Sequence, residues 1–294
     1  MTQSPRPARQ IAGIHHKSIG DMVVTALNDG MFEGSFAMLA AFEIGTAEQM
    51  HRAAFRAIPP RLAVNSFLIQ TDARTILVDS GCGTNFGDGM GNLAGNLATL
   101  GIKPGDVDTV LCTHLHPDHV GGLVDPAGKA VFPNAELVVH ADDHTFWGAE
   151  ATLAGATTDM DRGFIALARS TIAAYADRTK LLTAGEALSG ISIVPEPGHT
   201  PGHSGWMITS GTDSLLIWGD IVHMPGIQFT RPDAGMGFDI DGGQAITTRQ
   251  RIMDMVATDR LLVAGMHLDF PCFGHVARAS EGYAFVPEVW TPTL

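Results

Sequence analysis

The stretch that decides the fold runs from residue 113 to residue 122 and reads Thr113-His114-Leu115-His116-Pro117-Asp118-His119-Val120-Gly121-Gly122. It follows the apolar run Val110-Leu111-Cys112, so a strand is predicted to lead into a loop here. His114 and His116 lie two residues apart, and an extended backbone directs both side chains to the same side. The proline that follows turns the chain, so that Asp118 and His119 face a second point. Imidazole and carboxylate are preferred ligands of zinc and its first-row neighbours, and the stretch therefore predicts a metal site.

Four more apolar runs in the chain end close to a histidine or an aspartate. The side chains that follow these runs are His199, Asp220 and His267 downstream and Asp79 upstream. Glycines lie beside them, where the backbone can turn sharply. Five strand-like runs with such ends predict one edge of a sheet that carries a single site.

The order of these motifs resembles the metallo-β-lactamase superfamily, whose His-x-His-x-Asp-His signature is present here as His114 to His119. The resemblance extends from about Asp21 to Trp290. It implies an α/β fold, a four-layer αβ/βα sandwich in which two mixed sheets pack face to face with helices outside. It also implies two bound divalent metal ions. Zinc suits these ligands, and manganese, iron or cobalt would fit them too.

The resemblance also implies how the ligands are shared between the two metals. One metal would be held by three histidines: His114, His116 and His199. The other would be held by an aspartate and two histidines: Asp118, His119 and His267. Asp220 would bridge the two metals, and Asp79 would orient a ligand histidine by fixing its tautomer. The family commonly has glycine where Pro117 stands, a change that stiffens the loop and removes no ligand.

Two metals that share a water imply hydrolysis. Such a water, held between ions about 3.5–4 Å apart, loses a proton far more easily than bulk water. The bridging hydroxide would attack a carbonyl or phosphoryl centre, and Asp118 would orient it and carry a proton to the leaving group. His223, three residues past Asp220, is expected near the reacting atoms as an acid or hydrogen-bond donor. Asp118 and His223 are therefore the predicted catalytic residues.

Several segments are similar to the methyl parathion hydrolase branch of the superfamily, which is related to the quorum-quenching lactonases. They are residues 23–30, the Gly-Asp-x-x-His motif ending at His223, and residues 228–229, 238–241 and 264–275. Members of that branch hydrolyse phosphotriesters, lactones and aryl esters in varying proportion. We expect a neutral, partly apolar lactone or ester as substrate, with phosphotriester hydrolysis as a side activity. The alternative is an organophosphate hydrolase proper, of the methyl parathion type.

Other activities of the superfamily fit the sequence less well. Acyl-homoserine lactonases commonly have a tyrosine near the position of His223, and neither Tyr175 nor Tyr283 lies there. The β-lactamases that share the motif typically have cysteine in place of Asp220. Glyoxalase-II-type thioester hydrolysis would want a basic patch, which the C-terminal quarter lacks. The redox diiron proteins add a flavodoxin-like domain, for which 294 residues leave no room.

Four aromatic residues near the motifs are candidates for the walls of an apolar substrate pocket: Trp147, Phe229, Phe270 and Phe273. Ligand pockets are usually apolar with a few polar groups, which suits a neutral small-molecule substrate. Each of these side chains could equally be an ordinary core aromatic.

The composition disfavours several classes of partner. A net charge of −13 without a basic stripe argues against nucleic acid. No apolar run reaches 18 residues, so neither a transmembrane helix nor a membrane partner is expected. The segment Met1 to Ser18 lacks the apolar core of a secretory signal, and three scattered cysteines suit reduced thiols. These features predict a cytoplasmic protein.

No linker or composition break divides the chain. We therefore expect a flexible N-terminal arm at residues 1–20 and a single domain at residues 21–294. Apolar periodicity predicts a helix at 242–259 behind an Asp241 cap and another at 159–176. The resemblance suggests a homodimer, with the apolar segment 31–58 as either the dimer contact or a lid.

Overall fold

The computed structural model describes residues 6, 10, 11, 13–85, 87 and 89–294. The strands are β1 (Ile14–Ile19), β2 (Met22–Glu33), β3 (Leu39–Ala40), β4 (Arg61–Gln70), β5 (Thr75–Val78), β6 (Thr109–Leu111), β7 (Glu136–His140), β8 (Thr179–Leu182), β9 (Gly185–Leu188), β10 (Ile191–Pro195), β11 (Ser204–Ser210), β12 (Asp213–Ile217), β13 (Gly235–Met236), β14 (Leu262–Ala264), β15 (Phe273–Arg278) and β16 (Tyr283–Pro287). The α-helices are α1 (Ile44–Ala53), α2 (Leu93–Thr99), α3 (Pro117–Val120), α4 (Ala141–Gly148), α5 (Glu150–Ala154), α6 (Asp159–Ala174), α7 (Pro225–Gln228) and α8 (Gly242–Asp259).

Within the described residues, the strands form two seven-stranded sheets and a small ribbon of β3 and β13. The order is β1-β2-β4-β5-β6-β7-β8 in the first sheet and β16-β15-β14-β12-β11-β10-β9 in the second. Strands β5 to β8 pair in parallel, as do β12 and β14, and the other neighbours are antiparallel. Both sheets are therefore mixed.

The alternation of side chains along the strands produces the layers. In β4, Phe67 and Ile69 are buried in the cluster between the sheets, whereas Leu68 belongs to the cluster beneath the helices α2, α4 and α6. In β6, Leu111 and Val110 divide in the same way. Because successive strand residues point to opposite faces, strands apolar on both faces need cover on both. The result is the αβ/βα sandwich expected from the resemblance.

The two helices predicted from apolar periodicity are present. Helix α8 begins after Asp241, whose carboxylate accepts the Gln244 N–H at 2.9 Å, as an N-cap residue does. Helix α6 begins after Thr158, which accepts the Asp161 N–H at 3.0 Å. It ends two residues before the predicted boundary, at Ala174.

The N-terminal boundary differs from the expected arm at residues 1–20. Ile14–Ile19 forms β1, which pairs with β2 along its whole length, and Ile19 is buried between the sheets. A flexible arm is therefore wrong for these six residues, because pairing with β2 satisfies their backbone groups. Residues 1–5, 7–9 and 12 of the expected arm lie outside the described residues. Among the described helices, none has the length and apolar content needed to cross a membrane.

Candidate metal centre

The seven candidate ligands lie together beyond the ends of strands from both sheets. The strands and the side chains that follow them are β6 with His114, His116, Asp118 and His119, β10 with His199, β12 with Asp220, and β14 with His267. Asp118 is partly exposed, and the other six are buried. Strand β5 delivers Asp79 to the same region. Two sheets thus contribute to one site.

Local backbone structure separates the two pairs of ligands in the central motif. His116 is extended, with φ −70° and ψ 154°, and precedes α3, whose first residue is Pro117. Proline suits the first turn of a helix because its missing N–H has no partner there anyway. Asp118 and His119 lie on this single helical turn and face a different point from His114 and His116. The predicted turn at Pro117 is therefore a short helix.

The first group consists of three imidazoles and one carboxylate. His116 Nδ1 lies 2.9 Å from both His114 Nε2 and His199 Nε2. Asp220 Oδ2 is 3.3 Å from His199 Nε2 and 3.7 Å from His114 Nε2. These four side chains could together hold a metal ion.

The second group lies on the other side of Asp220. Asp118 Oδ2 is 3.6 Å from His119 Nε2 and 3.5 Å from His267 Nε2, and the three side chains could hold a second ion. Asp220 Oδ1 is 3.3 Å from His119 Nε2, and Asp220 Oδ2 is 3.3 Å from His267 Nε2. Asp220 therefore contacts both groups.

The polar atoms of the centre fit bound cations better than mutual hydrogen bonds. A neutral imidazole offers one N–H and one lone pair, so the three converging ring nitrogens cannot all satisfy one another. His119 Nε2 and Asp220 Oδ1 are buried without a hydrogen-bond partner among the described residues. Buried polar atoms normally have partners, and nitrogen and carboxylate donors are those that zinc and its neighbours prefer.

Electrostatics favours the ligand forms of several of these groups. Burial lowers the pKa of His114 and of His116 well below its ordinary value, which keeps both imidazoles neutral. Burial opposes the ionisation of Asp220, but His119 and His267 outweigh it and hold the pKa of Asp220 well below its usual range. Metal ligands must be deprotonated to bind, and His114, His116 and Asp220 meet this condition. Asp220 and neighbouring carboxylates outweigh burial and raise the pKa of His119, His199 and His267, so these imidazoles would release protons when cations bind.

Comparison with known proteins assigns the family. Residues 59–267 match the description of the metallo-β-lactamase superfamily. The chain belongs to this superfamily. The crystal structure of hydrolase AbOPH is similar, with a TM-score of 0.90 and 31% identity over 96% of this chain and 100% of that chain. AidC, a dizinc quorum-quenching lactonase, has a TM-score of 0.89 and 26% identity over 96% of this chain and 99% of that one.

Curated members of similar sequence match over shorter stretches. The N-acyl homoserine lactonase AiiB of Agrobacterium fabrum strain C58 is 34% identical over 100 residues, 28% of this chain and 34% of that protein. The uncharacterised protein YobT of Bacillus subtilis strain 168 is 27% identical over 169 residues, 57% of this chain and 66% of that protein. The chain thus spans less than two thirds of the length of these curated relatives. The expected superfamily and fold are confirmed, and a metal-dependent hydrolase is supported.

Hydrogen bonds from outside this metallo-β-lactamase centre orient the candidate ligands. Asp79 Oδ2 accepts the His119 Nδ1–H at 2.7 Å and also binds the Thr113 hydroxyl at 2.7 Å. The backbone oxygen of Ala63 accepts the His267 Nδ1–H at 2.7 Å. Such partners fix which nitrogen of an imidazole faces the metal. Asp79 therefore contacts His119, one of the candidate ligands.

Asp239 is a residue of the superfamily site that sequence reasoning missed. Its carboxylate accepts the His199 Nδ1–H at 2.8 Å and the Met236 N–H at 2.9 Å. Asp239 therefore binds the Nδ1 of His199 in the same way as Asp79 binds the Nδ1 of His119. The sequence pattern around residue 239 carried no spacing signal for this role, because the loop before α8 reaches the centre only through the tertiary fold.

His223, the second predicted catalytic residue, lies against the Asp220 carboxylate. Its Nε2 is 3.0 Å from Asp220 Oδ2, and its ring stacks on His267 with centroids 5.0 Å apart. Asp220, His223 and His267 also form a third group that could hold a metal ion. His223 is thus either a catalytic neighbour of the centre or a ligand.

A cavity of about 640 Å³ opens beside the first group of ligands. Its walls include His116, Asp239 and seven larger apolar side chains: Phe146, Trp147, Met160, Phe164, Ile165, Phe238 and Ile240. Of the four predicted substrate contacts, only Trp147 lines it, and its ring lies 5.3 Å from that of His116.

The other three predicted contacts do not line this cavity. Phe229 is buried between Trp218 and Phe285, and Phe273 is buried against Phe67. Phe270 is 38% exposed. Nearness in sequence to a ligand did not decide the face on which each ring lies, because the turn after each ligand directs the chain back into the sheet or to the surface.

Proposed function

We propose that the chain is a dinuclear-metal hydrolase acting on a neutral, partly apolar lactone or ester. The observation that carries this proposal is that two groups of metal-ligating side chains meet at Asp220, next to a cavity with apolar walls. Similarity to a hydrolase and to a dizinc lactonase over nearly the whole chain supports the reaction class.

Some of the side chains would bind the metals, and others would transfer protons. His114, His116 and His199 would hold one ion and Asp118, His119 and His267 the other, with Asp220 between them. When bound, two divalent ions would lower the pKa of a shared water and supply the nucleophile. Asp118 is the most exposed of the seven candidate ligands, at 18% of its side chain. It would orient the nucleophile and pass its proton to the leaving group.

His223 would act on the substrate through a hydrogen bond. Burial lowers the pKa of His223 to about 4, so its imidazole is neutral near pH 7 and has no extra proton to give. Its Nδ1 has no hydrogen-bond partner among the described residues. A neutral imidazole has one N–H, which His223 donates from Nε2 to Asp220 Oδ2 at 3.0 Å. To donate to the substrate oxygen that gains charge, a role that typically contributes about 10²–10³-fold in rate, the ring would have to give up this bond when Asp220 binds cations and carry its proton on Nδ1.

The cavity indicates the kind of substrate. No lysine or arginine is among the described residues of its walls, and its two carboxylates already have partners. Asp239 binds His199, and Asp161 accepts the Thr158 N–H at 2.9 Å. An anionic substrate would find no counter-charge there, whereas an apolar acyl or aryl group would be covered by aromatic rings.

Phosphotriester hydrolysis is part of the proposal as a side activity. The same nucleophile would attack a phosphoryl centre, and a neutral triester suits the uncharged cavity. An organophosphate hydrolase proper is the alternative, favoured by the resemblance of residues 264–275 to the methyl parathion hydrolase branch.

Parallel assays of the zinc-loaded protein test the proposal. The panel contains lactones of increasing acyl length, p-nitrophenyl esters, methyl paraoxon and nitrocefin, each measured with and without chelator. The proposal expects the largest kcat/KM for lactones or esters and loss of turnover on chelation. A preference for methyl paraoxon would favour the alternative. Bound metal without turnover of any substrate would refute the proposed substrate class.

We also propose a homodimer that uses the segment 31–58. Three apolar side chains of this segment are exposed: Phe55 at 98%, Met31 at 52% and Ile44 at 50%. Such exposure in one region is typical of an interface. Sedimentation velocity should show a dimer that Phe55→Ser weakens, whereas Met160→Ser, at a residue also exposed by 65%, should not. A monomeric wild-type protein would favour the lid instead.

The proposed location remains the cytoplasm. Cys82, Cys112 and Cys272 are unpaired and buried. Free thiols of this kind are typical of a reducing compartment. Fractionation of cells that produce the protein would test the location.

A further inference from the structure

We infer that Asp143 is a positioning residue that holds two ligand-bearing loops of the proposed metal centre at a fixed separation. The inference rests on the proposed function, because it concerns the metal affinity of that centre. Asp143 lies in the first turn of α4, is fully buried, and belongs to none of the groups that could hold a metal.

The two oxygens of this carboxylate bind different loops. Asp143 Oδ2 accepts the N–H of Leu115, the residue between His114 and His116, at 2.8 Å. Asp143 Oδ1 accepts the N–H of Gly202 at 3.1 Å. Gly202 lies three residues after His199, in the loop between β10 and β11. One side chain thus joins a loop of the first sheet to a loop of the second.

Gly202 lets the second loop reach Asp143. A Cβ atom at residue 202 would lie 2.3 Å from the backbone N of Asp143 and 2.7 Å from its Cβ. These atoms belong to the backbone and base of α4 and cannot swing away as the tip of a flexible side chain can. The loop is therefore drawn against the helix at the position where the hydrogen bond forms.

The two hydrogen bonds of Asp143, together called the clamp here, act mainly on the first group of candidate ligands. His116 and His199, whose ring nitrogens are 2.9 Å apart, lie in the two loops that Asp143 joins. In the second group, Asp118 and His119 lie on α3 and His267 follows β14. Losing the clamp should therefore weaken the first metal more than the second. A backbone bond from Ser204 N to Thr113 O at 2.9 Å still joins the loops, so they would loosen without separating.

The test measures metal affinity in Asp143→Asn. Asparagine keeps the shape of the side chain but replaces one acceptor oxygen with an NH₂ group, so one backbone N–H loses its partner. Zinc titration against a competing chelator should show two ions in the wild type. The variant should bind one ion normally and the other about 10- to 100-fold more weakly, as is usual when an outer partner of a ligand is removed. The absorption spectrum of the cobalt-loaded protein should change for one ion only.

Asp29→Asn is the matched control. Asp29 is also fully buried and accepts three backbone N–H groups, from Cys82, Gly91 and Leu93. None of these lies in the two loops that Asp143 joins. Cys82 lies in the loop of Asp79, next to the second group, so the control should lower the free energy of unfolding and leave the affinity of the first metal unchanged. Gly202→Ala disturbs the same hydrogen bond from the loop between β10 and β11. It should therefore reproduce the loss of metal affinity seen in Asp143→Asn.

Several results would overturn the inference. They are unchanged affinities in both Asp143→Asn and Gly202→Ala, or equal losses in Asp143→Asn and Asp29→Asn. If the variants do not fold, hydrogen exchange of the metal-free wild type tests the inference instead. The amides of Leu115 and Gly202 should exchange as slowly as the backbone amides of β11. Fast exchange of either amide would refute the clamp. A wild-type protein that binds no metal would instead refute the proposed function. The exchange rates of the Leu115 and Gly202 amides would still test whether Asp143 holds the two loops together.

Discussion

Asp220 lies within 3.3 Å of a histidine from each of the two candidate ligand groups. Its Oδ1 faces His119 at 3.3 Å, while its Oδ2 faces His199 and His267 at 3.3 Å each. Oδ2 thus lies between the two groups and Oδ1 faces the second, a position that suits a carboxylate shared by two cations. Its neighbours also keep it ionised in spite of full burial.

His223→Phe should lower kcat/KM for lactones and esters about 100-fold, because it removes the imidazole proposed to donate to the oxygen that gains charge. Metal content, measured on the same preparation, should stay at the wild-type value. His275→Phe, at an exposed histidine, is the control and should change neither. Loss of bound metal would identify His223 as a ligand, and unchanged turnover would remove it from the reaction.

Glu196→Gln should stabilise the protein more at pH 8 than at pH 5. Glu196 is buried, and neither carboxyl oxygen has a partner among the described residues. Burial raises the pKa of Glu196 well above its ordinary value. Above pH 4.5 the unfolded chain therefore releases a proton that the folded protein retains, so the free energy of unfolding falls as pH rises.

The difference in the free energy of unfolding between the two proteins should grow from pH 5 to pH 8, because only the wild type has to keep or lose the Glu196 proton. Urea unfolding of the metal-free proteins measures it, with Glu136→Gln at an exposed position as control. A gain that does not depend on pH would contradict the assignment.

At the scale of single residues, sequence predicted which polar side chains lie together better than which aromatic rings line the cavity. Candidate ligands such as His114 and His119 lie within one short motif, where local backbone geometry fixes direction. No local motif fixes the direction of the Phe229 and Phe273 side chains, and both rings are buried in the core. Asp239 meets His199 only through the path of the loop before α8, which no local pattern encodes.

At the scale of elements, α4, α5, α6 and the loop at 237–240 frame the cavity beside the candidate metal centre. Phe164, on α6, lies with its ring 6.2 Å from that of His116, and Phe238 lies 5.7 Å from His199. Helices of the first layer and a loop of the second thus enclose the space beside the ligands. Substrate size should therefore be determined by this helical layer.

Phe164→Ala should raise KM for long-chain lactones about tenfold, because one buried aromatic contact contributes about 1.5 kcal/mol. Turnover of a short acetate ester should hardly change. Phe229→Ala is the contrasting variant: its ring is buried in the core, so it should lower the free energy of unfolding by about 3 kcal/mol or more and leave KM unchanged. The opposite pattern would place the substrate on the other side of the centre.

Some elements follow from sequence and others do not. Helix α8 shows apolar periodicity and an Asp241 cap, and it begins where predicted. The sequence predicts a flexible arm in place of strand β1, because its residues His15, His16, Lys17 and Ser18 are polar. Pairing with β2 determines its structure, and a pairing partner is not visible in the strand itself.

At the scale of the whole molecule, the metals would join the two halves. The first sheet supplies four of the candidate ligands and the second supplies three. Sequence predicted the layered sandwich only through resemblance, since alternation along a strand shows that both faces are covered but not by what. The approach of the two sheets at one edge is a property of the complete fold.

Metal removal should therefore lower global stability. A ligand that binds only the folded state at about 1,000 times its Kd stabilises it by about 4 kcal/mol. Calorimetry of chelated and zinc-reconstituted protein should show a higher Tm after reconstitution. Asp220→Ala should show a much smaller rise, and an equal rise in both proteins would mean that zinc binds elsewhere.

The most direct test of the central claim is the number of metal ions bound per chain in wild type and Asp220→Ala, measured by elemental analysis after dialysis. The two-metal account predicts two ions in the wild type, at most one in the variant, and loss of lactone and ester hydrolysis with the missing ion. Two tightly bound ions in Asp220→Ala, or a fully active wild type with no metal, would contradict it.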